Sequence, residues 1–432
     1  MPLTISTHTS SIQPHRRGRV LEVLGIPYAT SDRFGYPQPV ALEDLPADFD
    51  PSQPAPAAPQ FIRGGAQPDI RQSVLMSEDC QNLSVIMPAD IQEDEKLPVM
   101  VYFHGGSYVV GSGDGARYNP DKLLAEHRVV LVRVTYRLGI LGFLGGTKER
   151  PANLGLLDAR EALRWVKKYI SQFGGDPNNI TAFGQSAGGD LISRLMISEG
   201  VIEEELMHKA IIQSAPLDLI HGKEKMAEFM LNKVIEKLPV DAPYEQYGEL
   251  AYKMQMQNPI KFGFERSTMA FGTQLGHYPL PAAKDIDASY AKVAQHIKVL
   301  IGSNKRETAY FISHKLPYRV VRMMEPITRY FSQKMYAKTA DHFAERHRKA
   351  GGEATRYLLQ TGFPTHRMAS AHCTELGLLF DNPSWKGSDL FGGLYAHERE
   401  EQSQAVRDIW ATFAKTGDIR RDLANEGRIE FS

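Results

Sequence analysis

Cysteine is nearly absent: the 432 residues contain two, Cys80 and Cys373, which excludes a disulfide framework and any multi-cysteine zinc site. An excess of one charge is absent too. Fifty Lys plus Arg against 51 Asp plus Glu leave a formal net charge of -1, so no basic field selects a nucleic-acid backbone or an anionic membrane surface. No run approaches roughly 18 uninterrupted apolar residues, and the opening MPLTISTHTSSIQPHRRGRV lacks the apolar core of a signal peptide. The expectation is a cytoplasmic chain with no membrane span, in which the two thiols stay unbridged. No HExxH, Walker-type lysine or dinucleotide spacing occurs, and Gly111, Gly113 and Gly115 resemble a phosphate cradle only superficially. Neither a metal nor a cofactor is expected.

The composition, 42% hydrophobic and 23% charged, is that of a folded protein with a sizeable core. At about 150 residues per domain the length would allow two or three domains, but an α/β domain with insertions also accounts for it. Low complexity is confined to residues 51–59, where four prolines in nine residues forbid helix. Beyond them, β-rich runs alternate with helical ones: LPVMVYF (97–103), VVLVRVTY (129–136), ITAF (180–183), KAIIQS (209–214), IKVLIGS (297–303) and TRYLLQT (355–361). Near-continuous apolar strands between helices predict a mostly parallel central sheet covered on both faces. The clearest helix spans 156–173, with Leu156, Ala159, Leu163, Val166, Ile170 and Phe173 on one face, and must stop before Gly174 and the breakers that follow it. One domain over 1–432 is expected, with the spacers 216–296 and 308–354 forming helical cap insertions.

The chemistry begins at Gly184-Gln185-Ser186-Ala187-Gly188, directly after ITAF and before an apolar run starting at Leu191. A strand-to-helix turn this tight strains its central residue, needs small neighbours, and projects the serine hydroxyl above the sheet edge. Ser186 is therefore the candidate nucleophile. A serine needs a base and an orienting acid, and on such sheets they follow in the order nucleophile, acid, base. Glu307 follows IKVLIGS after the short turn Asn304-Lys305-Arg306, while His366 and His372 both follow TRYLLQT. Position leaves the base open between those two histidines. The glycine-rich His104-Gly105-Gly106-Ser107-Tyr108, ending the run LPVMVYF, permits close backbone approach; with the Ala187 N–H it would supply oxyanion donors. His104 reads as a structural residue at that turn.

In this order the motifs resemble the type-B carboxylesterases, the cholinesterase-like branch of the α/β-hydrolases. GIPYA (25–29) with Arg33-Phe34, SEDC (77–80), HGGSY from 104, YRLGILGFL from 136, NLGLLDAREALRWV from 153 and FGGDPNNITAFGQSAGG from 173 carry the resemblance. It implies an α/β-hydrolase fold and a Ser-His-Glu triad of Ser186, Glu307 and His372, the last matching a pattern of His, two residues, an acid and Leu. It also implies oxyanion donors at Gly106, Ser107 and Ala187, a loop shaped by Gly105, and a structural ion pair between Arg33 and Glu78. Departures are Gln185 where members usually have Glu, Ser107 where they have glycine, and Thr273 and Gly276 in FGTQLGHYPLP. The implied activity is hydrolysis of small carboxylic esters through an acyl-enzyme, with no nucleic-acid or membrane partner. An amidase, carbamate hydrolase or lactonase with the same triad is the alternative. A catalytically silent binding domain is a further one.

Overall fold

The apolar runs become the parallel strands of one sheet in the computed structural model of the chain, which describes residues 5–8, 11–61, 75–92, 95–220, 222–263, 267–312, 316–363 and 365–432. In chain order the sheet strands are β1 (His15–Arg17), β2 (Val20–Pro27), β3 (Asn82–Pro88), β4 (Leu97–Phe103) and β5 (Val130–Val134). They continue as β6 (Gly175–Gln185), β7 (Lys209–Gln213), β8 (Lys298–Asn304), β9 (Ala354–Leu359) and β10 (Ile429–Phe431). Their spatial order is β10-β9-β8-β7-β6-β4-β5-β3-β2-β1. The strands from β9 to β5 in this order are parallel, whereas β10 and the β3-β2-β1 edge run antiparallel.

Period-two alternation divides the interior between the two faces of the sheet. Val99, Val101 and Phe103 of β4 join a core that includes Leu156, Leu163 and Leu191. Met100 and Tyr102 join a second, with Phe380, Ile409 and Trp410. Each such side chain, fully buried, contributes about 1.5–3 kcal/mol. Arg133 is the charged exception in β5, and it is buried in an ion pair with Asp114 at 2.8 Å.

The helix read from periodicity is Leu154–Tyr169, extended by a 3-10 turn, Ile170–Phe173. It stops where Gly174 takes a left-handed φ of 73°. Gly175 to Pro177, expected as breakers ahead of the next strand, lie inside β6 instead. Gly175 pairs with Leu97, and the register slips before Ile180, so the turn residues form an irregular lead into the strand.

Two of the sequence motifs, with Gln81 just after a third, meet at one buried cluster. Asp158 accepts from Arg137 Nε at 2.8 Å, Arg137 Nη2 at 2.7 Å and Gln81 Nε2 at 2.7 Å. Removing one partner of such a pair costs about 3–5 kcal/mol, because the other charge is left buried alone. The Arg33–Glu78 ion pair is also present. Arg33 Nε donates to Glu78 at 2.7 Å, and its Nη1 reaches the Ala242 carbonyl, tying the N-terminal segment to the first spacer.

The first spacer contains helices Glu224–Lys237, Tyr244–Phe262 and Ile286–Val293. The second contains Tyr318–Met323, Glu325–Ser332 and Lys338–Lys349, the last of which packs on β8 and β9. Among the described residues no helix is long and apolar enough to cross a membrane. Cys80 and Cys373 are both free thiols.

Candidate active site

Side chains from four strand ends converge at the carboxyl edge of the parallel sheet, where open α/β sheets place their ligands. After β6, Ser186 sits at φ 59°, ψ -124° before the helix Ala187–Met196. For a non-glycine residue this costs on the order of 1–3 kcal/mol. Two backbone bonds hold it there: the Ser186 N–H donates to the Gln213 carbonyl at 2.8 Å, and the Asp190 N–H donates to the Ser186 carbonyl at 3.0 Å. The flanking glycines are sterically required. A Cβ at Gly188 would lie 2.1 Å from the Phe103 carbonyl oxygen, and one at Gly184 would lie 2.6 Å from it.

After β4, the glycine loop lies against this turn. Gly106, Ser107 and Tyr108 have positive φ values of 115°, 56° and 62°, and a Cβ at Gly106 would lie 1.9 Å from the Val110 carbonyl oxygen. Among the described residues, no backbone carbonyl takes up the N–H of Gly106 or Ser107. Ala187 begins its helix, so its N–H has no partner within that helix. His104 is fully buried, with Nδ1 2.9 Å from the Gly105 carbonyl and its ring stacked on Tyr136 at 4.5 Å. Burial lowers its pKa to about 4, so the imidazole is neutral and structural.

After β8, Glu307 is completely buried. Its Oε1 accepts the Asn304 N–H at 2.6 Å, and its Oε2 lies 2.5 Å from His372 Nδ1. The His372 N–H also donates to the Glu307 carbonyl at 3.2 Å. Of the two candidate histidines, His372 is the one paired with Glu307. His366 instead accepts from the Met368 N–H at 3.2 Å, within its own loop. Arg306 fixes that loop: its Nη1 donates to the carbonyls of His366, Arg367 and Ala369 at 3.1–3.3 Å, while Nη2 pairs with Glu325 at 2.6 Å.

With Nδ1–H directed to Glu307, His372 Nε2 is an acceptor, and it lies 3.1 Å from Gln185 Nε2. Gln185, rather than Ser186, therefore occupies the imidazole lone pair. Cys373 donates to Gln185 Oε1 at 3.5 Å, which fixes the same amide orientation. Behind the imidazole, Glu375 accepts from Ser214 at 2.5 Å and from Asn304 Nδ2. Burial, then the neighbouring Glu307, raises the Glu375 pKa. Sequence reasoning missed Arg306, Asn304, Ser214 and the bonding of Glu375. The available signal was adjacency, since Asn304 and Arg306 flank the acid in SNKRET.

Gly105, Gly106, Ser107, Gln185, Ser186, His372 and Cys373 border one cavity of about 730 Å³. Its lining also includes Leu138, Ile140, Tyr247, Ala251 and Met256, and Arg117, Tyr118, Leu376 and Trp385. Glu126, His127 and Asp408 gather ligand-type atoms within 4.8 Å of one another, but none of them lines this cavity, and Glu126 is already paired with Arg407.

A mainly parallel sheet with a strained serine at the end of a central strand, and a carboxylate-imidazole pair at the ends of strands beyond it, defines the α/β-hydrolase class. The model of the carboxylesterase family matches residues 10–348, and the chain belongs to that family. It is 31% identical to a probable N-octanoylanthranilate hydrolase of Rhodococcus erythropolis, over 96% of this chain and 93% of that protein. It is 46% identical to the cocaine esterase of Homo sapiens, over 79% of this chain and 68% of that one. Among solved structures, a thermophilic PNB esterase superposes with a TM-score of 0.78 at 24% identity, covering 97% and 92% of the two chains. That likeness is one of fold. The chain is thus a carboxylic-ester hydrolase, as the motif resemblance implied.

Proposed function

We propose that the chain hydrolyses carboxylic esters through an acyl-enzyme on Ser186, with His372 as general base and acid and Glu307 as its orienting carboxylate. The observation that carries this reading is the buried 2.5 Å contact between Glu307 and His372 Nδ1, bordering the cavity that Ser186 also faces. It leaves Nε2 as the basic nitrogen. On substrate binding Nε2 exchanges its bond to Gln185 for one to Ser186 Oγ and removes that proton as Oγ attacks the carbonyl carbon. The oxyanion is received by the N–H groups of Gly106, Ser107 and Ala187, assisted by the positive end of the helix that Ala187 begins. Imidazolium then protonates the leaving oxygen, and the alcohol departs. A water molecule, deprotonated by the same nitrogen, attacks the acyl carbon, releases the acid and restores Ser186. In this reading residues of 216–296 act as a cap, since Tyr247, Ala251 and Met256 wall the cavity.

A second reading, amide hydrolysis with the same triad, is supported by one observation: the relative aligned over nearly its whole length carries an N-acyl aromatic amide in its name. Matched butyryl esters and anilides, followed by pre-steady-state kinetics, test both. An alcohol burst of one equivalent, abolished in Ser186→Ala, is the expected result. Retention of turnover in that variant would refute the acyl-enzyme. An anilide rate comparable with the ester rate would favour the amidase.

A further inference from the structure

We infer that the hydrogen bond from Tyr108 to Asp190 is the brace that sets the oxyanion loop against the nucleophile turn, which makes both side chains positioning residues for the tetrahedral intermediate. The inference rests on the acyl-enzyme reading and adds to it what keeps the oxyanion donors in register.

The donors of that reading come from two separate elements. Gly106 and Ser107 belong to the loop after β4, whereas Ala187 opens the helix after β6. To receive one oxygen atom the two elements need a fixed separation, since each donor must lie about 2.7–3.1 Å from the place the oxyanion takes. The loop does not rest in this shape by itself. Ser107 and Tyr108, neither of them glycine, have φ values of 56° and 62°, a left-handed conformation that persists only where the surroundings over-determine it.

Tyr108 supplies that constraint. Ser107 before it and Val109 after it line the cavity, but Tyr108 does not; its side chain is buried, with the ring 4.3 Å from that of Phe143. Its hydroxyl donates to Asp190 Oδ2 at 2.8 Å, and its carbonyl accepts the Gly139 N–H at 2.6 Å. Burial, then the neighbouring carboxylate, raises the phenol's pKa well above its ordinary value, so the oxygen keeps its proton as the donor. Asp190 also holds the nucleophile turn, because its main-chain N–H donates to the Ser186 carbonyl at 3.0 Å. One residue thus grips the turn with its backbone and the loop with its carboxylate. That carboxylate is itself fixed: Arg194 Nη2 donates to Asp190 Oδ1 at 3.0 Å and to the Leu217 carbonyl at 2.7 Å, and Arg194 Nη1 donates to the Tyr290 hydroxyl at 2.7 Å. Tyr108, Asp190 and Arg194 are each no more than 2% exposed, so water does not compete for these bonds. A ring that served packing alone needs no hydroxyl, and a buried carboxylate is costly unless it is bonded. Here Arg194 satisfies one oxygen and the other reaches the loop.

Tyr108→Phe keeps the ring and removes the bond. Its kcat on a butyrate ester, per active site titrated with a fluorophosphonate, should fall roughly 10- to 100-fold with KM held within about 3-fold, because displaced donors weaken transition-state binding alone. A trifluoromethyl ketone, which adds Ser186 and places an oxyanion in the same hole, should bind this variant more weakly by a similar factor. Asp190→Asn, whose neutral amide weakens the same contact, should shift both readouts in the same direction by a smaller factor, and it carries the test if Tyr108→Phe does not fold. Tyr290→Phe loosens Arg194 at the far end of the network; it should lower urea stability and leave kcat and ketone affinity near wild type. Unchanged kcat and ketone affinity in the folded brace variants, a loss confined to KM, or an equal loss of kcat in Tyr290→Phe would make the bond merely structural and overturn the inference, with the acyl-enzyme intact. Absence of a Ser186 adduct in the wild type would instead overturn the acyl-enzyme reading, and this inference with it.

Discussion

Replacing Gly188 with alanine sets two effects of opposite sign against each other. Gly188 lies in the first turn of the helix Ala187–Met196, where alanine is intrinsically favoured by about 1 kcal/mol. Its Cβ, however, would lie 2.1 Å from the Phe103 carbonyl oxygen and 2.8 Å from that of His104. Relief requires a shift of about 1 Å by backbone that is itself hydrogen-bonded into the sheet, and such overpacking costs about 1–3 kcal/mol or more. The clash outweighs the propensity, so Gly188→Ala should be less stable than wild type by at least about 1 kcal/mol. The same shift separates the helix start from the glycine loop, and a 1 Å misplacement at a reacting centre costs on the order of 100-fold. Urea denaturation and the rate of fluorophosphonate inactivation measure the two consequences. Gly248→Ala, in the helix Tyr244–Phe262, is the control: the nearest atoms to its Cβ lie 3.3 Å away on the Gln60-Phe61 segment, so its stability should stay close to wild type. Wild-type stability and reactivity in Gly188→Ala would refute the steric account of this turn.

Glu307→Gln should lower kcat by about 10,000-fold, because an amide N–H facing His372 Nδ1 selects the tautomer with its proton on the wrong nitrogen; steady-state kinetics on a butyrate ester check it. Gln185→Glu places a negative charge beside His372 Nε2, favours imidazolium, and should raise the acidic limb of the kcat/KM profile by roughly 1 to 3 pH units. An unmoved limb would contradict the contact. His104 has a folded pKa of about 4, lowered mainly by burial, against an ordinary value of 6.5. Between those values the unfolded chain binds the extra proton, so its contribution is complete above pH 6.5 and is lost as pH falls toward 4, a total of about 3 kcal/mol. His104→Asn should show a correspondingly shallower fall in urea stability over that window.

The parallel strands were legible because burial on both faces makes them continuous apolar runs, and LPVMVYF is found at the residues expected, Leu97–Phe103. The antiparallel strands were not: His15–Arg17 and Ile429–Phe431 are three residues long with charged or exposed members, too short for a periodic signal, and the longer Val20–Pro27 and Asn82–Pro88 were missed as well. Ser186 was legible through its steric demand for glycine neighbours, and Glu307 and His372 through their places after strands. Position alone could not separate His372 from His366, because the distinction lies in a long-range contact with Glu307 and in the carbonyls that Arg306 gathers. The buried polar set behind the base, Ser214, Asn304 and Glu375, was hidden for a related reason. Read along the chain, such residues look like loop polarity, and only tertiary packing turns them into partners.

The central claim is that Ser186 is the acylated residue. Intact-protein mass and peptide mapping after treatment with a fluorophosphonate test it most directly. The account predicts one adduct per chain, located on Ser186 and absent from folded Ser186→Ala. An adduct on another residue, or one that persists in Ser186→Ala, would contradict it.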